Sequence, residues 1–150
     1  MRIAHLTRDV PPAASGIGDH AARLARELAA LGDTSIVVCS PPASAIQDVD
    51  VRPAIARWDR RGTPAIVAAV RDAAPDVIVW HYNPFQIGRR GIAPSAGSLA
   101  RALRAVAPLV VVAHELWYPW GRSGLRGLAW SVSQRAQFRG VASAAAAILV

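Results

Sequence analysis

Two histidines close apolar runs of the kind that make buried strands. His81 stands in Val77-Ile78-Val79-Trp80-His81-Tyr82-Asn83-Pro84, and His114 in Val110-Val111-Val112-Ala113-His114-Glu115. If both runs are neighbouring parallel strands, the two imidazoles face one crevice at the strands' carboxyl ends. Histidine in such a place can donate to a sugar hydroxyl or a phosphate, or carry a proton. A hydrogen-bonded histidine that merely caps a strand accounts equally for either residue taken alone. No set of His, Cys and Asp has the sequence spacing of metal ligands, and Glu115 would point away from His114 if the strand ran on, so no metal is expected.

A second centre of chemistry is the loop Pro11-Pro12-Ala13-Ala14-Ser15-Gly16-Ile17-Gly18-Asp19-His20. Gly16 and Gly18 stand just before a helix. Glycine lets the backbone turn tightly and approach a ligand closely. The helix start offers unpaired amides and partial positive charge, which together suit an anion or a phosphate. The plainer reading is a flexible turn with Asp19 as the helix cap. The loop is a poor dinucleotide fingerprint, because its glycines lie far from the first strand and Cys39-Ser40 stands where an acidic residue belongs. With no lysine in the chain, a lysine phosphate loop is also excluded.

Leu116-Trp117-Tyr118-Pro119-Trp120-Gly121-Arg122 follows His114, and a helix carrying Arg126, Trp130, Arg135, Phe138 and Arg139 comes next. Aromatic side chains suit a boundary between water and apolar matter, and arginine suits phosphate headgroups. Contact with a membrane or a lipid-linked acceptor is one reading. The other is a core helix that packs Leu125, Leu128, Ala129 and Val132 inward and leaves its arginines in water.

The elements that must position these residues alternate between short apolar strands and amphipathic helices. Strands are expected at Arg2–Leu6, Ser35–Cys39, Val49–Arg52, Val77–His81, Leu109–His114 and from Ala147 onward. Helices are expected at Asp19–Leu31, with Ala21, Leu24, Ala25, Leu28 and Leu31 on its packed face, and from Thr63-Pro64 to Ala74. Two more follow at Ser98–Val106 and Gly124–Ala142. Thr63 is expected to cap the second helix, whose buried stripe reads Ile66, Val67, Val70 and Ala74. Such alternation predicts an α/β domain of three layers, α/β/α, with a mainly parallel, Rossmann-like sheet. Ligands in such folds bind just beyond the carboxyl ends of the strands.

Composition narrows the class. The 150 residues form one domain, 53% hydrophobic and 18% charged, enough for a real core. The longest apolar runs fall well short of the ~20 residues that span a bilayer, and Met1–Leu6 is too short for a secretory signal. The single cysteine, Cys39, excludes an intrachain disulfide, fits a reducing cytoplasm and reads as a buried structural thiol. A net charge of +7, carried by arginine, is compatible with nucleic acid, an anionic membrane or phosphorylated ligands. The chain ends inside an apparent strand, which suggests part of a longer protein.

Taken in order, Met1–Leu6, Pro11-Pro12, Ser15-Gly16-Ile17-Gly18-Asp19-His20-Ala21, Leu24–Gly32, Pro75–His81 and the strand ending in His114 resemble the N-terminal domain of family 4 retaining glycosyltransferases. The similarity runs along essentially the whole chain. It implies the N-terminal, acceptor-side half of a GT-B fold, whose C-terminal, donor-binding domain is absent from this chain. It implies a hexosyltransferase that takes a nucleotide sugar as donor and a sugar, lipid or small molecule as acceptor, with no cofactor and no metal. By the same resemblance Gly16 and Gly18 approach the donor diphosphate, and His114 lies beside the reacting sugar. Asp19, His20, His81, Asn83, Trp117 and Tyr118 are the expected acceptor-side residues. The implied location is the cytoplasm, with peripheral contact at the inner face of the membrane. A non-catalytic module that binds a glycan or lipid headgroup, or regulates a partner chain, is the alternative. No nucleic-acid partner is expected, since no recognition motif for one is present.

Overall fold

A computed structural model describes residues 1–88, 90–119, 122 and 124–150. Trp120 and Gly121 of the aromatic segment lie outside the described residues. In chain order the elements are β1 (Arg2–Leu6), α1 (Gly16–Ala30), β2 (Thr34–Val38), β3 (Asp50–Arg52), α2 (Thr63–Asp72), β4 (Val77–Tyr82), α3 (Pro84–Ile87), α4 (Ala96–Arg104), β5 (Leu109–Ala113), α5 (Gly124–Ala142) and β6 (Ala147–Leu149). The strands form one parallel sheet in the order β3-β2-β1-β4-β5-β6. The expected three-layer α/β architecture is present. The order reverses between β1 and β4, so the crevice for a ligand opens above that pair.

One face of the sheet carries the main core. Ala4, Leu6, Ile36, Val38, Ile78, Trp80, Leu109 and Val111 pack there against Ile66 and Val70 of α2, Leu99 and Leu103 of α4, and Val141 of α5. The opposite face packs Val37 and Cys39 against Ala25 of α1. β4 is thus covered on both sides, which is why it reads as an unbroken apolar run. Cys39 is fully buried, and burial pushes its thiol up to about 11.

Several local expectations are corrected. α1 begins at Gly16, and Ser15 caps it by accepting from the Gly18 amide at 3.2 Å; Asp19 sits in the first turn rather than at the cap. Leu31 is not on the packed face: it is 81% exposed, beyond the last helical residue, where Gly32 turns the chain at a φ of +96°. Thr63 does not cap α2. Gly62 stands at the cap with no side-chain hydrogen bond, and Asp59 closes the turn before the helix, accepting from the amides of Arg61 and Gly62 at 3.0 Å each. Ala73, not Ala74, closes the buried stripe of that helix, because Ala74 turns out of the helix at a φ of +44°.

The largest correction concerns α5. Leu125, Leu128 and Val132 face solvent, and the buried positions are Gly127, Ser131, Gln134, Gln137 and Val141. The reason is what the helix packs on. Gln137 accepts from the Ala93 amide, Gln134 accepts from the Tyr118 amide at 2.5 Å, and the Gln134 amide donates to the Gly91 carbonyl at 3.3 Å. A helix seated on two irregular loops must satisfy their backbone groups, and that requirement overrides apolar periodicity. Gly140 of the same helix meets Gly97 of α4 closely: a Cβ on Gly140 would lie 3.2 Å from the Gly97 Cα.

Candidate functional site

Strand register places the histidines. His5 of β1 aligns with Val79 of β4, and His81 of β4 aligns with Val112 of β5. Side chains two residues apart on a strand share a face. His5 and His81 therefore lie on one face of the sheet, each strand's histidine one pleat further along. His114 extends the pattern past the end of β5, held in register by its amide, which donates to the Tyr82 carbonyl at 3.0 Å. α1 covers this face and brings His20 down from above. All four histidines of the chain meet here.

The rings form a layered cluster. His5 and His81 stack at 5.8 Å, and His81 and His114 stack at 5.5 Å with planes only 22° apart. His20 meets His114 edge-on at 5.0 Å and His81 at 5.6 Å. Nδ1 of His81 lies 3.2 Å from Nε2 of His114, so one ring donates and the other accepts. Burial pushes His5 down to about 4. His81 is held well below the usual imidazole range, first by burial and then by the neighbouring histidines, and His114 is lowered by burial and then by His20. These three rings are neutral at physiological pH. They offer hydrogen bonds without bringing a charge into a low-dielectric layer, where an unpaired charge is costly. His5 and His81 lie at the bottom, His114 is half-buried, and His20 is exposed at the mouth.

The glycine loop borders the same crevice, and its two glycines differ. A Cβ on Gly18 would lie 2.5 Å from the Asp9 carbonyl oxygen, whereas one on Gly16 would meet nothing within 4 Å among the described residues. Gly18 is thus required by packing of the helix start on the Asp9–Val10 backbone. Gly16 leaves open space at the exposed end of α1. Ser15 occupies the Gly18 amide, while the amides of Gly16 and Ile17 have no acceptor within the helix. Gln86, in the turn after β4, ties the loop down: its amide donates to Ser15 Oγ at 3.3 Å and to Asp9 Oδ2 at 3.4 Å. Arg8 donates in turn to the Gln86 carbonyl at 2.7 Å.

The chain matches the glycosyl transferase 4-like domain family over residues 15–150. It belongs to that family. No curated protein matches the chain. In this glycosyltransferase 4-like domain a groove of about 530 Å³ runs over the carboxyl ends of β1, β2 and β4, lined by Arg8, Asp9, Ser40, Trp58, Asp59 and Gln86 among others.

The structure brings His20, His81 and His114 into one cluster beside Gly16. The other expected residues each have partners of their own. Asn83 is buried, and its side chain accepts from the Phe85 amide at 2.8 Å to cap α3. Asp19 lines a separate groove with Arg23 and Arg26. Trp117 packs edge-on against Phe138 with the Arg135 guanidinium over its ring at 4.6 Å, and Tyr118 meets Trp130. Both aromatic side chains thus lean on α5. His5 and Gln86 belong to the site and were not singled out from the sequence. The strand period could have found His5, since it lies inside an apolar run; nothing local marks Gln86. The metal-like proximity of the histidines was equally invisible, because the rings come from α1, β4 and β5 and share no sequence spacing.

Proposed function

We propose that this domain is the acceptor-side half of a retaining, GT-B glycosyltransferase, in which a separate C-terminal domain holds the nucleotide-sugar donor. The bond from the sugar's anomeric carbon to the diphosphate breaks, a bond from that carbon to the oxygen of an acceptor hydroxyl forms, and the hydroxyl proton passes to the departing nucleoside diphosphate. The observation that carries this reading is the layered histidine cluster at the β1/β4 crevice, set beside the open start of α1. The Gly16 and Ile17 amides and the positive end of the helix favour the diphosphate, where negative charge grows as the bond breaks. Gly18 supports them by letting the helix start sit against the loop. His114 contacts the transferred hexose, and His20 at the mouth meets donor or acceptor hydroxyls. His81 orients His114 through the ring-to-ring hydrogen bond.

The acceptor is a sugar, a lipid-linked group or a small molecule, and no cofactor takes part beyond the donor itself. No described helix is long and apolar enough to cross a membrane. The outward Leu125, Leu128 and Val132, on the same helix as Arg126, support peripheral contact with an anionic membrane from the cytoplasmic side. The decisive experiment replaces His114 in the intact two-domain enzyme. His114→Ala should reduce turnover roughly tenfold or more, the scale of a lost transition-state contact, with the far-UV spectrum and melting temperature held. An unchanged rate would remove His114 from the site.

A further inference from the structure

We propose that His20, His81 and His114 form a binding site for a late first-row divalent cation such as Zn²⁺. Each residue offers one ring nitrogen, and the three nitrogens lie within 4.8 Å of one another. Two imidazole nitrogens on a tetrahedral zinc, each about 2.0–2.1 Å from the metal, stand about 3.3 Å apart. His81 Nδ1 and His114 Nε2 are already 3.2 Å apart, the length of one edge of that tetrahedron. The same distance serves as a hydrogen bond in the metal-free protein; on binding, the proton between the rings moves to the other nitrogen of its own ring, and both imidazoles ligate as neutral lone-pair donors.

His20 supplies the third nitrogen. Its side chain is exposed on α1, and swinging it inward by about 1.5 Å, from 4.8 Å towards the tetrahedral edge, needs rotation of the side chain alone. The three ligands come from different elements, each held by its own packing, so the site is largely built before a cation arrives. Nε2 of His81, in a residue only 1% exposed, has no hydrogen-bond partner among the described residues; with Nδ1 turned to the cation, that nitrogen carries the ring's proton.

Ligand chemistry sets the class of cation. Three imidazoles with no carboxylate among them suit Zn²⁺, Ni²⁺, Co²⁺ or Cu²⁺, and are poor for Mg²⁺ or Ca²⁺, which prefer oxygen. The fourth position faces the mouth of the crevice, where His20 is exposed, and is free for water or a ligand oxygen. If His114 contacts the transferred sugar, as proposed above, a cation held there occupies the sugar's place. Zn²⁺ then acts as a reversible inhibitor competing with donor. This consequence rests on the glycosyltransferase reading; the binding itself does not.

The test is a competition titration of the tag-free chain with Zn²⁺ against a chromophoric chelator, together with thermal unfolding with and without Zn²⁺. One equivalent should bind, the melting temperature should rise, and excess EDTA should reverse both. His20→Ala, at an exposed position where folding is safe, should weaken binding roughly tenfold or more, and His114→Ala should do the same. Cys39→Ser should leave the affinity unchanged. Co²⁺ should bind with the visible absorption of a tetrahedral site, and Mg²⁺ should not compete. Failure of Zn²⁺ to bind, or binding that survives both histidine substitutions, would overturn the site. Either of those results would leave the His114→Ala rate test of the intact enzyme untouched.

Discussion

Gly16 and Gly18 look equivalent in sequence, and substitution by alanine should separate them. At Gly18 the new methyl carbon would stand 2.5 Å from the Asp9 carbonyl oxygen, 2.9 Å from its carbon and 3.1 Å from the Val10 Cα. Ordinary contact begins near 3.4 Å, so helix and loop must part by about 0.9 Å. All the obstructing atoms are backbone. They belong to a segment anchored by the Ser40 amide on the Arg8 carbonyl and by the Ala13 amide on the Val10 carbonyl. Overpacking of this kind costs about 1–3 kcal/mol, and the rigidity of the obstacle puts Gly18→Ala at the upper end. Alanine returns up to about 1 kcal/mol as a better helix former. The net loss is about 2 kcal/mol, a fall of about 1 M in the urea midpoint for a domain with an m-value near 2 kcal/mol/M. Gly16→Ala meets open space and should leave the midpoint within about 0.25 M. Urea unfolding followed by far-UV dichroism and by tryptophan fluorescence measures both. If Gly18→Ala unfolds at the wild-type midpoint, or Gly16→Ala falls as far as Gly18→Ala, the division between a packing glycine and an open glycine is wrong.

Two further outcomes follow from buried groups and close contacts. Burial pushes His5 down to about 4, whereas an unfolded chain titrates near 6.5. The unfolded chain therefore binds the proton more readily, so this contribution is complete above about pH 6.5 and is lost as pH falls towards 4, at most about 3 kcal/mol. In chelating buffer the urea midpoint at pH 4.5 should lie well below that at pH 7.5; equal midpoints would show that the buried histidines accept protons freely. At the α4–α5 crossing, a Cβ on Gly140 already approaches the Gly97 Cα at 3.2 Å. Gly140→Leu should cost about 2 kcal/mol and lower the melting temperature by about 5 °C, and an unchanged melt would show that the helices separate without cost.

The fold is legible in the sequence where one physical cause dominates. β4 is buried on both faces, and no rule competes with its run of Val, Ile and Trp. β5 buries Leu109, Val111 and Ala113 and leaves Val110 and Val112 only partly covered, and the histidines closing the two apolar runs are legible because a polar group at the carboxyl end of a buried parallel strand has few uses. α5 shows the opposite case. Its leucines fit an inward stripe, yet the helix turns Ser131, Gln134 and Gln137 inward. Only the backbone groups of Gly91, Ala93 and Tyr118 explain that choice, and which loop lies under which helix is a tertiary fact. Trp117 illustrates the same limit. Its aromatic character is plain in the sequence, but its contacts with Phe138 and Arg135 are not, because they depend on where α5 packs.

His5 shows why the site as a whole was less legible than its parts. A histidine inside a five-residue strand, fully buried and without a hydrogen-bond partner among the described residues, is expensive by itself. Its cost becomes intelligible only with the register, which sets His5 level with Val79 and so places His81 one pleat above it. His114 then follows beyond the end of β5, one pleat above His81. The hydrophobic pattern of a strand fixes which side chains face inward, but how far one parallel strand is offset from the next also depends on the crossover between them. The same register that makes His5 costly puts His81 within 3.2 Å of His114, and His20 completes the group only because α1 crosses this face of the sheet. Chemistry at the β1/β4 crevice is therefore a property of three aligned strands and one helix, and substituting any one histidine should disturb the hydrogen bonding or the stacking of its neighbours. A double-substitution cycle on His81 and His114 should accordingly show strong non-additivity in stability, whereas His20 and Cys39, on α1 and beyond the end of β2, should add.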